Sequence, residues 1–170
     1  MFKWIFSLVL VFCLLVVPTN LSDALEPESK PVNHLFKVPT SKSGNQWSVT
    51  IGQANLDGRA IKPVLQKYDV YSLSIKNIGE TVYNVRVEAY KALPDEQTKL
   101  RLFSVPVKSE FLNGEGMTVH QNFPIGLDAK ELEINVYWEI KQDYGSKVNG
   151  INVTRTWKNS FSFKPDSQQP

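Results

Sequence analysis

The sequence predicts an all-β protein, an antiparallel β-sandwich of seven or eight strands, and three observations carry that prediction. Leu132, Ile134, Val136, Trp138 and Ile140 alternate without a fault against Glu131, Glu133, Asn135, Tyr137 and Glu139. A period of two gives a strand one buried and one wet face. The stretch from Tyr68 to Tyr90 holds two more such runs, with Tyr71, Leu73 and Ile75 on one parity and Tyr83, Val85, Val87 and Ala89 on another. Between them lies Asn77-Ile78-Gly79-Glu80, whose Asn and Gly tolerate the positive φ of a tight connection. Finally, no segment after Ala24 repeats its apolar residues at helical spacing. At 170 residues with 11% aromatics, the chain suits one domain with a core of its own.

Taken in order, the chain opens on a targeting signal. Lys3 gives a short positive region, Trp4 to Val17 is mostly apolar, Pro18 breaks the run, and Ser22-Asp23-Ala24 places small residues at a cleavage site. The run is short for a bilayer core, so residues 1–24 read as a signal peptide cleaved after Ala24, the alternative being an uncleaved anchor. Residues 25–45 carry Pro27, Pro31 and Pro39 in a polar context and read as a flexible spacer, within which Leu35 to Val38 is a candidate edge strand.

The sandwich domain is expected over residues 46–165. Trp47, Val49 and Ile51 share a face, Asp57-Gly58 marks a turn, and Pro63 places Ile61 to Leu65 at a sheet edge. After the central pair, Pro94 to Gln97 marks a loop, and Lys99 to Val107 is extended with Pro106 favouring an edge. Asn113-Gly114-Glu115-Gly116 leads into a strand bearing Met117, Val119, Gln121 and Phe123 on one parity, which Pro124 is expected to end. Beyond the strand at Glu131 to Lys141, Tyr144-Gly145-Ser146 begins a loop that ends near Asn149-Gly150. The last strand carries Ile151, Val153, Trp157, Phe161 and Phe163 on one parity, with Arg155 and Asn159 as polar exceptions. Residues 166–170 form a polar tail; Gln168-Gln169-Pro170 shows no sorting signal, so any wall retention is expected to be non-covalent.

Charge and chemistry exclude several classes. The net charge is +2 with scattered bases, which removes the concentrated positive face that nucleic acid requires. Cys13, the sole cysteine, lies in the signal run behind Phe12, so neither lipidation, a disulfide nor a thiolate metal site is expected in the mature chain. A cysteine-free exported chain fits a bacterial secretory route. His34 and His120 are far apart, and a zinc site draws on neighbouring ligands. His120 reads as a solvent-facing strand residue. Glu131, Glu133 and Glu139 share a strand face, whereas a glycosidase pair flanks its bond from two sides. No serine-elbow or phosphate-loop pattern occurs, and the loop acids Asp57, Asp95, Glu96, Asp128 and Asp143 are too sparse for a calcium loop. No enzyme, cofactor or metal is expected.

The run Tyr71-Ser72-Leu73-Ser74-Ile75-Lys76-Asn77-Ile78-Gly79, followed by Tyr83-Asn84-Val85-Arg86-Val87, resembles bacterial immunoglobulin-like modules of the CARDB and FxLYD kind. Asn113-Gly114-Glu115-Gly116-Met117-Thr118-Val119 is similar to their glycine turn. The resemblance covers about half of the mature chain. It implies an immunoglobulin-like sandwich and an extracellular binding or spacing role, and brings no catalytic residues.

Binding then falls to surface tyrosines and loops. Tyr90 and Tyr137 lie off the inward parity, where cross-strand ring packing competes with partner contact. Tyr144 lies in a loop with Lys141, Asp143 and Lys147, and these four are the candidate binding residues. The expected function is a secreted non-enzymatic module acting on a cell-surface polymer or an extracellular protein. The competing class is a structural or inhibitory protein that blocks a partner through an edge strand or end loop. The membrane is expected to be involved only through the signal segment, if uncleaved.

Overall fold

The computed structural model describes residues 34–95, 97–140 and 155–166, together with the backbone of 147–148 and 151–152. Eight strands form two four-stranded antiparallel sheets. The first sheet joins β1 (Thr40–Ser43), β2 (Trp47–Gln53), β3 (Tyr68–Asn77) and β6 (Gly116–Gly126) in the order β1-β2-β3-β6. The second joins β4 (Val82–Ala92), β5 (Lys99–Phe111), β7 (Glu131–Glu139) and β10 (Thr156–Phe163) in the order β10-β7-β4-β5. A short ladder of β8 (Lys147–Val148) and β9 (Ile151–Asn152) completes the set. Among the described residues no helix is long and apolar enough to cross a membrane.

The inner faces meet as alternation demands. Trp47, Val49 and Ile51 of β2, with Leu73 and Ile75 of β3, are buried against Val85, Val87, Leu132, Ile134, Val136 and Trp138 of the second sheet. Trp47 sits edge-on to Phe111 and Trp138, with ring centroids 5.2 and 6.1 Å apart. Such pairs add to burial because the positive ring edge faces a negative ring face. The flanks are closed as well. Phe103 of β5 meets Phe123 of β6 at 5.4 Å, and Lys42 of β1 lies 5.7 Å from the Phe163 ring of β10.

Several sequence expectations change. The two central runs do not pair with each other: β3 bonds to β2 and β6, while β4 bonds to β5 and β7, so residues 78–81 carry the chain from one sheet to the other. Neither Asn77 nor Gly79 has a positive φ. Asn77 is fully buried, and its amide donates to the carbonyls of Glu80 (2.8 Å) and Phe111 (3.1 Å) while its oxygen accepts from Gln46 Nε2 (2.7 Å) and Gly79 N–H (3.1 Å). The Gln46 amide packs on Gly79: a Cβ there would lie 2.4 Å from Gln46 Oε1 and would have to displace a side chain held by Asn77 and the Glu80 carbonyl. The motif is a crossover lock.

The parity of β4 slips at Asn84, whose φ is 51° and where the ladder register shifts. Val82 and Val85 therefore both face inward, and Tyr83, expected beside Val85, is only half-buried. An extra residue in one strand swaps the face of everything beyond it. The same happens in β6, where the pairings Tyr71↔Phe123 and Leu73↔His120 bracket a shift. His120 consequently packs on Phe103, with ring centroids 5.0 Å apart, instead of facing solvent. Pro124 does not end β6, which runs to Gly126; it is tolerated because β6 is an edge. Pro106 likewise lies on the edge strand β5.

A further change concerns the spacer. Leu35 and Phe36 are buried in the core, and Thr40–Ser43 pairs with β2, so the edge strand lies just beyond the stretch expected to form one. Ile61 to Leu65 forms no strand; Val64 bridges back to Tyr68 in a turn instead.

Candidate functional site

Of the loop residues expected to bind, Lys141, Asp143 and Tyr144 lie outside the described residues, and Lys147 is described only as part of the β8 backbone. The tyrosines Tyr90 and Tyr137 lie on the outer face of the second sheet, within a polar network that the strand register assembles.

Cross-strand pairing lays this face out in rows. Lys158, Tyr137, Arg86 and Pro106 form one row across β10, β7, β4 and β5; Ser160, Asn135, Glu88 and Ser104 form the next. Glu88 points outward, yet its side chain is only 6% exposed. Its carboxylate accepts from Arg86 Nη1 (2.5 Å), Tyr90 OH (2.8 Å) and Ser104 Oγ (3.1 Å). Burial pushes the Glu88 carboxyl up, but the Tyr90 and Ser104 hydroxyls and the Arg86 charge outweigh it and hold the group below the usual range. Burial and the facing Glu88 charge raise the Tyr137 phenol, so it stays protonated. The Arg86 guanidinium stacks 4.5 Å from the Tyr137 ring centroid, and Lys158 Nζ lies 5.7 Å from it.

The neighbouring row is also occupied. Asn135 donates to Glu133 Oε1 at 2.8 Å, Glu133 pairs with Lys99, and the Asn135 oxygen is buried with no hydrogen-bond partner among the described residues. Beside Arg86 an open groove of ≈ 480 Å³ is lined by Asn84, Pro106, Lys108, Tyr137, Glu139 and Thr156. Asn84 Nδ2 donates to Glu139 Oε2 at 2.6 Å, and Lys108 pairs with Glu115. The groove presents ring faces, amides and already paired charges, a surface suited to many weak polar contacts more than to bond chemistry.

A second cluster joins the start of the described chain to β3. Asp69, 3% exposed, accepts from Tyr71 OH (2.5 Å), Val70 N–H (2.8 Å) and His34 Nδ1 (2.9 Å). Burial raises this carboxyl, but the three hydrogen bonds hold it below the usual range. Tyr71 OH also accepts the Phe36 amide at 2.9 Å, and its own ionisation is pushed far up by burial and by Asp69. The cluster is a clasp that pins Leu35 and Phe36 onto the core. Among the described residues no group of three His, Cys, Asp or Glu side chains could hold a metal.

Sequence reasoning placed Tyr137 and Tyr90 on this face but missed Glu88 as its centre. A glutamate flanked by Arg86 and Tyr90 at strand spacing was the available signal. It missed the Asp69 clasp too, because His34 and Asp69 are 35 positions apart.

Fold and surface together define an all-β sandwich with a polar, tyrosine-bearing sheet face. The chain belongs to the YozF-like secreted protein family, whose sequence profile matches residues 33–169. It is 29% identical over 141 residues to the Uncharacterized protein YozF of Bacillus subtilis (strain 168), covering 76% of this chain and 80% of that one. No solved structure matches the chain. The CARDB and FxLYD resemblance remains one of strand pattern, since the matching family is YozF-like.

Proposed function

We propose that the protein is a secreted, non-enzymatic binding module whose contact surface is the outer face of the β10-β7-β4-β5 sheet. The carrying observation is Glu88, an outward-facing carboxylate kept ionised and nearly covered by Arg86, Tyr90 and Ser104, of which Arg86 also lines the ≈ 480 Å³ groove. Desolvating a charge on a solvent face costs stability unless it is paired, and the pairing here holds Arg86 and Tyr137 in fixed positions for a partner. A rigid aromatic face beside amides and carboxylates suits a hydroxyl-rich cell-surface polymer. The strand order supports a binding-module reading: β2-β3-β6 and β10-β7-β4-β5 follow the A-B-E and G-F-C-C′ arrangement of immunoglobulin-like sandwiches.

The edge-blocking alternative has less support. Of the four edge strands, β5 and β6 carry Pro106 and Pro124 and β1 has only 4 residues, features that oppose strand addition and leave β10 as the edge without them. The test is retention of the secreted protein on intact cells. Lys108→Ala with Glu139→Ala should keep the fold and weaken retention by roughly tenfold, as loss of two groove contacts implies. Undiminished retention by that variant would contradict the reading.

A further inference from the structure

The connection between β2 and β3, residues 54–67, does not behave like an ordinary polar loop. It exposes four large apolar side chains: Leu56 (41%), Ile61 (44%), Val64 (37%) and Leu65 (64%). The same segment carries Arg59, Lys62 and Lys67 against the single acid Asp57, and none of these bases is in an ion pair among the described residues. Scattered apolar exposure is normal, but four such groups on one short segment ask for a partner.

The loop is held in shape. Asn122 of β6 donates to the carbonyls of Asn55 (3.0 Å) and Ile61 (2.8 Å) and accepts the Ile61 amide (3.0 Å). Its tip is a closed turn in which Val64 N–H bonds to the Tyr68 carbonyl and Tyr68 N–H to that of Val64, at 3.0 and 3.1 Å. Gln66 holds a φ of 62°, a left-handed conformation that side-chain-bearing residues seldom adopt, and Leu65 projects beside it. The apolar groups are thus displayed on a loop held in shape, with bases alongside.

We infer that the β2–β3 loop docks the protein onto an anionic lipid bilayer. Apolar side chains on a protruding turn enter the headgroup boundary, while Lys and Arg stems lie along it with their charges among the lipid phosphates. The unpaired positive charge argues for a negatively charged partner, and the exposed leucines argue against a purely polar polymer. The surface is distinct from the groove beside Arg86, and the sequence reading had assigned the bilayer to the N-terminal segment alone.

The test uses protein recovered from culture medium, sedimented with vesicles of phosphatidylglycerol in phosphatidylcholine or of phosphatidylcholine alone. Binding is expected to the first and to be at least roughly tenfold weaker to the second. Ile61→Asp with Leu65→Asp should abolish it at an unchanged melting temperature, because both positions are exposed. Lys62→Gln and Lys67→Gln should each weaken it by roughly fivefold. No binding to anionic vesicles, equal binding to both, or unaltered binding by the aspartate variant would overturn the assignment. Absent vesicle binding together with Leu65-dependent capture of a cell-surface protein would place a protein on the loop instead.

Discussion

The two outer faces of the sandwich differ in kind. On the first sheet, Ser41, Thr50, Ser74 and Thr118 form a row across β1, β2, β3 and β6. Ser41 meets Thr50 at 2.8 Å, Ser74 meets Thr118 at 3.1 Å, and Ser43 meets Ser48 at 2.9 Å. These short hydroxyls satisfy one another while staying wet. On the second sheet the corresponding rows carry Arg86, Glu88, Tyr90, Glu133, Tyr137 and Lys158, long side chains drawn partly out of water. A solvent face needs no buried carboxylate to be soluble, as the hydroxyl face demonstrates. The charged face instead fixes long side chains around a carboxylate whose pairing outweighs the cost of its burial, in line with the contact surface proposed above.

Core substitution should affect both faces together. Trp138→Ala empties a buried site against Trp47 and is expected to cost about 3–5 kcal/mol in denaturant unfolding. Asn77→Ala should come next, on the order of 3 kcal/mol, because it strands buried backbone groups at the crossover. Substitution at the outer faces separates them. Glu88→Ala leaves Arg86, Tyr90 and Ser104 without their shared acceptor and should cost on the order of 2 kcal/mol. Ser74→Ala on the hydroxyl face should fall within about 0.5 kcal/mol of the parent.

Acid sharpens the contrast further. Glu88 has a folded pKa below its unfolded value, so its contribution is complete above the unfolded carboxylate value of about 4.3 and is lost as pH falls through the folded value. Asp69 acts in the same direction at the clasp. Glu88→Gln should therefore flatten part of the acid limb of a stability–pH profile, leaving the Asp69 part. Ser74→Ala should leave the limb unchanged. An identical limb in Glu88→Gln would show that this carboxylate is not held as described.

The fold was legible where alternation is unbroken. Leu132 to Trp138 and Trp47 to Ile51 face inward as their parity implies. It failed where a strand gains a residue: Asn84 and the stretch before Phe123 each reverse parity, and no local composition rule marks them. Asn77 and Gly79 were recognised as special for the wrong reason, since neither has a positive φ and what lies against Gly79 is the hydrogen-bonded Gln46 amide. The site was half legible. Tyr90 and Tyr137 fell on the outward parity, but their union with Glu88, Arg86 and Ser104 depends on which strands become neighbours, and that is set across the sheet.

The most direct test places a photo-reactive cross-linking side chain at one of two positions on the secreted protein, in place of Lys108 at the groove or of Thr50 on the hydroxyl face, and exposes each to intact cells. Adducts to a cell-surface component should form from position 108 and be absent or minor from position 50. Equal yields from both, or adducts from position 50 alone, would contradict the assignment of contact to the charged face.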